Sequence, residues 1–445
     1  MTVTNWLPTY RLNKPKHIAP LATFRVAFGV MMLASIIRFW ANGWIAKQYI
    51  EPEFYFPYYG FEWITSWGDP GMYILFAIMG IAAIGIAIGA FYRFSASLFF
   101  LAFTYVELID KTNYLNHYYF VSIIAFLLIF VPANKAYSID AWRKKKQDFY
   151  VPAWSIHIII LQLSLVYFFA GLAKLQPDWL LEALPLKIWL PSRADTPIIG
   201  FLLDYKWTAF IFSWFGAFYD LSIPFFLLWK RTRVFAYVTV IAFHFMTAAL
   251  FQIGMFPYIM VVSTLIFFSE DFHKKLWAKL FPQKEEELPT SAGFAKPVVL
   301  KYFFILYFSL QILLPFRYML YPGNLFWTEQ GYRFSWRVML MEKAGYSQFH
   351  VNIPEKSKSI EVIPGQYLTP VQEKMMNTQP DMVLQFAHFL RDKYQTEFDA
   401  EAEVYVESYA AINGKGSRPF IDPEINLATI KKGYQHKNWV LPYNQ

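Results

Sequence analysis

Long apolar runs broken by short polar loops dominate the first three quarters of the chain. Runs long enough to span a bilayer, or nearly so, fall at roughly 18–39, 72–92, 94–109, 117–133, 153–173, 207–229, 234–251, 255–269 and 298–316. Since ~20 apolar residues cross the hydrocarbon of a membrane, the pattern predicts about nine helices, of which the third and eighth are the weakest in isolation. After residue 317 the pattern changes. Residues 334–445 mix charged and apolar positions, with strand-like alternation over Phe334–Met341 and Ala402–Glu407 and helical spacing from Asp381 to Tyr394. The expected fold class is mainly α: a polytopic membrane helix bundle over 1–317, then a small non-cytoplasmic α+β domain over 318–445.

Composition agrees with that pattern. The chain is 56% hydrophobic and 21% aromatic against 16% charged, more apolar surface than a soluble protein of this size could cover. Its net charge of +8 is carried largely in short loops. Arg11, Lys14 and Lys16 precede the first span, Arg93 separates the second and third, and Lys135 and Arg143–Lys146 follow the fourth. Lys230, Arg231 and Arg233 follow the sixth, and His273–Lys275, Lys279 and Lys284 the eighth. The loop over 40–71 instead carries Glu51, Glu53, Glu62 and Asp69 with a single lysine. Basic loops in alternation predict a cytoplasmic N-terminus and, with an odd number of spans, a non-cytoplasmic C-terminus. The expected home is the plasma or inner membrane of a bacterium or the endoplasmic reticulum of a eukaryote. The charge therefore sets topology and gives no reason to expect a nucleic-acid partner. The absence of cysteine removes disulfides, thiol nucleophiles and cysteine-ligated metals. Met1–Pro15 has no apolar core ahead of a cleavage site, so no removable leader is expected.

That topology places three polar-bearing segments on the non-cytoplasmic face: Asp110–His117, the end of the run Leu163–Leu175, and Phe251–Phe256. Lys174 closes the second of them. A lysine at the edge of hydrocarbon either extends its ammonium to the headgroups or loses its proton and serves as a base, because removal from water disfavours the charged form. His117, preceded by Asn116 and close to Asp110 and Lys111, either belongs to an interfacial polar belt or polarises a substrate oxygen. Arg25 and Asp220 lie inside spans, where charge is costly and normally partnered; a structural ion pair or a contact with a cavity wall is the expectation. His244 is a packing residue with a hydrogen bond, a ligand or a proton relay. The spans contain no histidine spacing typical of a metal site, so no metal is expected. No nucleophile elbow, phosphate loop or dinucleotide fingerprint occurs either.

Several segments together resemble the vitamin K-dependent γ-glutamyl carboxylase family, whose membrane part is also called the horizontally transferred transmembrane domain. They are Phe24–Gly29, Leu108–Thr112 with Asn116 and His117, Val166–Gly171 with Lys174, Leu175, Asp178 and Trp179, and Asp220–Ser222. His244, Phe251 with Ile253–Phe256, Tyr332, Ser335, Trp336, Phe420, Asp422, Pro423, Trp439, Val440 and Pro442 extend the set in order to the end. The resemblance implies an enzyme that oxygenates a reduced naphthoquinone, phylloquinol or menaquinol, to its epoxide, and couples this to carboxylation of a protein glutamate. O2 and CO2 are then co-substrates, and a glutamate-containing protein or peptide is a partner beside the bilayer and the quinol. It implies Lys174 as the base, Asn116 and His117 at the quinone oxygens, and Tyr167, Phe251 and Met339 as walls of the quinone pocket, with Gln252 and Met255 beside them. The chain also departs from the family. Ala173 stands where a second lysine often precedes the base, and the region after 317 is shorter than in the animal enzymes, whose disulfide this chain cannot form. The quinol half-reaction is thus better marked than carboxylation. The other readings are a quinol epoxidase that does not carboxylate and a membrane protein that binds or transports a quinone or lipid.

Overall fold

The computed structural model describes residues 12–280 and 298–443. Arg11, Lys284 and most of the polar leader lie outside the described residues. The apolar helices are α1 (Ala19–Ala41), α2 (Gly68–Ile88), α3 (Tyr92–Ile109), α4 (Asn116–Phe130), α5 (Trp154–Ala173), α6 (Lys206–Leu228), α7 (Arg233–Leu250), α8 (Phe256–Ser263) and α9 (Val298–Leu313). Seven segments are long and apolar enough to cross a membrane, the last being Val299–Leu320; α4 and α8 with its short continuation to Phe267 are shorter. The protein is a multi-pass membrane protein.

The short elements are thus the fourth and eighth, where the sequence pattern singled out the third and eighth. Helix α3 begins at Tyr92 and reaches 18 residues. Helix α4 stops at Phe130 because Val131 is extended, as the residue before Pro132 is biased to be.

The bundle closes around one large apolar cluster, and small residues set its tightest crossings. A Cβ on Gly29 in α1 would lie 2.6 Å from the backbone at Ala83 and Ala87 in α2. A Cβ on Gly171 in α5 would lie 2.6 Å from the amide nitrogen of Leu221 in α6. Close backbone approach at small residues is how membrane helices associate where lipid is as apolar as the side chains. A buried amide relay adds polar contacts: Tyr307 donates to Gln162 (2.8 Å) and Gln311 donates to Tyr119 (3.1 Å), which ties α9 to α5 and α4. Arg25 is fully buried and donates to two carbonyls beyond α4, Ala133 (3.1 Å) and Tyr137 (2.5 Å). Backbone carbonyls thus receive this cation, where an ion pair or a contact with a cavity wall was the expectation.

A two-stranded ribbon joins β1 (Pro15–His17) to β2 (Tyr150–Pro152). The C-terminal part is an antiparallel sheet of order β4-β3-β5-β6, formed by β3 (Lys343–Ile353), β4 (Lys358–Val362), β5 (Glu403–Ile412) and β6 (Arg418–Ile421). Alternation in β5 turns Val404, Val406, Ala410 and Ile412 inward. There they meet α10 (Pro380–Phe398) through residues such as Phe386 and Leu390 in a separate core. The predicted helix over 381–394 and the strand beginning near 402 are both present. The strand expected over Phe334–Met341 is not. Phe334, Trp336 and Met339 have positive φ of 60°, 59° and 53°, which no strand can accommodate. The segment is a strap of turns between the membrane helices and β3.

Candidate active site

Lys174 caps the C-terminal end of α5, where its backbone N–H donates to Gly171. Pro177 opens the following short turn at Pro177–Leu180, so the chain bends back over the amine. The contact at Gly171 brings the middle of α6 within reach of that bend. There the Lys174 ammonium Nζ donates to Asp220 Oδ2 at 2.6 Å, with both side chains 8% exposed. A weaker bond to the Ala170 carbonyl (3.3 Å) and the Trp179 ring, 5.5 Å away, complete the surroundings of Nζ. Pro224, inside α6, has no N–H to donate to the Asp220 carbonyl four residues back, which loosens the helix where the carboxylate sits. What lies opposite Lys174 is therefore an acid.

The pair borders a cavity between α5, α6, α7 and the start of α8, lined on its other sides by Trp179, Phe212, Phe251, Phe256 and, from the strap, Val338 and Met339. His244 reaches the same cavity. Its Nε2 lies 3.2 Å from the Tyr167 hydroxyl, which also approaches Thr264 at 3.4 Å. His244 Nδ1 is buried with no hydrogen-bond partner among the described residues. Of the residues expected around a ligand, Lys174, Tyr167, Phe251 and Met339 share this lining, joined by Asp220 and His244.

The others stand elsewhere. His117 lies one ring behind the wall: its imidazole packs on Phe256 (5.9 Å between centroids), whose other neighbour is His244 (5.6 Å). Asn116 donates to the Arg337 carbonyl at 2.9 Å and accepts from Tyr114, so it anchors the strap that carries Val338 and Met339. Gln252 is exposed and Met255 half-buried, and neither borders the cavity.

Asp110 and Lys111 dock the C-terminal part onto the bundle. Asp110 accepts from Thr112 N–H (2.8 Å) and Gln372 (2.9 Å), and Lys111 pairs with Asp381 at 2.6 Å. Asp381 also receives Arg333 at 2.9 Å. Burial pushes the Lys111 amine down to about 8 against the opposing pull of Asp381. Burial also raises the Asp110 carboxyl, in spite of its hydrogen bonds from Thr112 and Gln372. The loop after Lys174 is held from the same side. Asp178 receives Asn413 (2.8 Å) and Lys415 (3.1 Å), and Trp189 donates to Glu342 at 2.5 Å. The Asp110 segment and the loop after Lys174 therefore face the C-terminal part, and Phe251 and Phe256 of the third segment share the cavity lining with Val338 and Met339.

Sequence pattern did not single out Glu107. It lies in the last turn of α3, beside the polar loop that follows, and its signal was simply a carboxylate inside a predicted span.

A bundle of apolar helices with a buried lysine–carboxylate pair in an aromatic cavity, capped by an α+β part, defines a membrane protein with an enclosed titratable pair between its helices. The comparisons give that class its family. The HTTM domain model matches residues 13–272, and the model of the vitamin K-dependent gamma-carboxylase lumenal domain matches residues 296–445. The chain belongs to the vitamin K-dependent gamma-carboxylase family. No solved structure matches it.

Proposed function

We propose that the protein is a vitamin K-dependent γ-carboxylase-like enzyme in which Lys174 is the base that acts on a reduced naphthoquinone. The observation that carries this reading is the Lys174–Asp220 contact of 2.6 Å inside an aromatic-lined cavity between membrane helices. The lining fits such a ligand. Phe212, Phe251 and Phe256 offer flat apolar faces, Met339 adapts its shape, and the buried unpartnered His244 Nδ1 offers one hydrogen bond to a ring oxygen. Reduced vitamin K, when bound, supplies the oxygenation chemistry that ends in the epoxide and provides the driving force for glutamate carboxylation with CO2.

The protein's own part is to take and hold a proton. Nζ and Oδ2 share one hydrogen bond, so the pair exists either as ammonium and carboxylate or as amine and acid, with no change in its total charge. A proton can thus pass between the two atoms without stranding net charge among apolar side chains. In the second form, once the Asp220 O–H turns away from Nζ, the amine lone pair can accept a hydroxyl proton from a bound ligand, and the ammonium so formed faces the anion the ligand becomes. Trp179 and the strap exclude water, Tyr167 fixes the orientation of His244, and Asn116 fixes the strap. His117 supports Phe256 from behind and is a positioning residue. On this reading the C-terminal part lies on the non-cytoplasmic side, where a glutamate-bearing peptide would reach the cavity.

The test is to supply purified protein with phylloquinol or menaquinol and O2 and to assay for epoxide by mass spectrometry. Wild-type protein is expected to form it and Lys174→Ala to lose it. Saturable quinone binding without epoxide in the wild type would leave a binding protein and sink the enzymatic reading. γ-Carboxyglutamate in a glutamate-containing peptide supplied with CO2 tests the second half separately.

A further inference from the structure

Away from Lys174, two spaces adjoin at the membrane edge and share Tyr58, Leu108 and Phe334 in their walls. Their volumes of about 310 and 810 Å3 fall in the range of small-molecule sites, roughly 300–1,000 Å3. The smaller is an apolar slot between α3 and α4, bordered by Phe100, Ile123 and Phe126. Phe100, Thr104, Ser122 and Phe126 are only half-buried, so the slot opens sideways onto the face that meets lipid. The larger is a polar vestibule under the C-terminal part. It is bordered by six cationic side chains, Lys111, Arg317, Arg333, Lys431, Lys432 and Lys437, against two carboxylates, Glu329 and Asp381.

Those carboxylates are already engaged. Asp381 holds Lys111 and Arg333, and Glu329 holds Lys343 at 3.1 Å. The side chains of Lys431, Lys432 and Lys437 have neither a hydrogen bond nor an ion pair among the described residues. Positive charge in excess at a membrane edge, continuous with an apolar slot between two helices, matches a ligand with an anionic head and a hydrocarbon tail. The linings fix which end goes where. Among the described residues the slot holds no cationic side chain, so a phosphate or carboxylate would find no counter-charge there, whereas the vestibule offers six.

We propose that an anionic phospholipid binds here, with an acyl chain in the slot between α3 and α4 and its phosphate among Lys432, Lys437 and Arg317. A free inorganic anion would use the vestibule alone and an acidic peptide would have no use for the slot. The lipid occupies both. The site is separate from the Lys174 cavity and holds whether or not that cavity turns over a quinol.

The experiment uses the full chain, delipidated in detergent, with binding of dioctanoyl phosphatidylglycerol measured by native mass spectrometry against dioctanoyl phosphatidylcholine. One phosphatidylglycerol per chain is expected, bound at least tenfold more tightly than the choline lipid. Lys437→Gln should weaken it about fivefold, as one surface cation does near an anionic headgroup, and Ser122→Trp, which fills the slot, should weaken it comparably. Lys111 and Arg333 are left intact because they hold Asp381. Each variant must keep the wild-type elution profile and its naphthoquinone affinity; Lys432→Gln replaces any that does not. Equal affinity for both lipids, or no effect of either substitution, overturns the proposal. Displacement of the lipid by glycerol 3-phosphate at equal concentration would mark a free-anion site and overturn it. Displacement by a polyglutamate peptide at equal concentration would mark a peptide site and do the same.

Discussion

Replacing Asp220 by Asn tests the centre of the site, because it removes one charge and almost no volume. In the native protein Nζ of Lys174 and Oδ2 of Asp220 are 2.6 Å apart and both side chains are 8% exposed. Without the carboxylate's charge, Nζ has as partners only neutral acceptors, the new amide oxygen and the Ala170 carbonyl at 3.3 Å, beside the Trp179 ring. A cation left in such a place costs about 3–5 kcal/mol of stability, the loss seen when one partner of a buried pair is removed. Replacing both partners by apolar residues, Lys174→Met with Asp220→Leu, leaves no buried charge, and stability should return to within about 1–2 kcal/mol of wild type. The coupling energy from such a cycle, measured by unfolding in mild detergent, is therefore expected to exceed 2 kcal/mol on the scale of contacting pairs, about 0.5–3 kcal/mol. Epoxide formation should fall by about 10²–10⁴ in Asp220→Asn, the range for loss of acid–base function, while quinone affinity changes little. Additive single and double variants, or Asp220→Asn protein as stable and active as wild type, would refute the idea that the two groups work as a unit.

Gly171→Ala should act on the same pair at a distance. Its Cβ would meet the Leu221 nitrogen at 2.6 Å, so the helices must part, at about 1–3 kcal/mol for overpacking, and epoxide yield should fall although no titratable group is touched. Arg25→Met should cost about 1.5–3 kcal/mol for each bond lost to Ala133 and Tyr137, with quinone affinity unchanged by equilibrium binding; a changed affinity would mean that Arg25 reaches the cavity. Asp381 predicts how docking of the C-terminal part responds to acid. Burial would raise its carboxyl, but Arg333, Lys111 and Lys437 outweigh burial and hold it well below the ordinary 3.8. A depressed folded value contributes stability above 3.8 that is lost only as pH falls through the folded value. Limited proteolysis of the link between the parts should therefore stay slow at pH 5 and 4 and quicken below, whereas Asp381→Asn is cut readily at every pH.

Apolar run length made the bundle legible, and where it erred the cause was local. Pro132 truncates α4, and a helix start at Tyr92 lengthens α3. Candidate residues were legible to different degrees for a physical reason. Lys174, Asp220 and His244 each stand out as polar groups in hydrocarbon, because lipid makes every such group conspicuous. Which of them meet is not written in any local pattern. Asp220 is 46 residues from Lys174 in sequence, and the contact depends on Gly171 letting two backbones touch. Arg25 stands out equally by that criterion, yet it satisfies loop carbonyls. Conspicuous charge marks a residue that needs partners, and tertiary structure decides whether those partners leave any chemistry free.

The strap shows the complementary failure. Alternation over Phe334–Met341 is real, yet side chains that alternate do not require a strand when the backbone crosses into left-handed conformations at Phe334, Trp336 and Met339. Each such residue costs on the order of 1–3 kcal/mol, and the surrounding contacts must hold it there. Asn116 on Arg337 and Trp336 stacked on Tyr119 at 4.9 Å provide that hold. The consequence is that consecutive strap residues serve different spaces: Phe334 borders the slot and vestibule, and Val338 and Met339 border the Lys174 cavity. A regular strand would have turned alternate side chains to only two faces. Asn116→Ala tests this division, since it frees the strap without touching either space. It should raise the KM for quinol and lower phosphatidylglycerol affinity together, with wild-type helix content by circular dichroism. If only the quinol response moved, Asn116 would act at the Lys174 cavity itself, and the strap would not be what joins the two spaces.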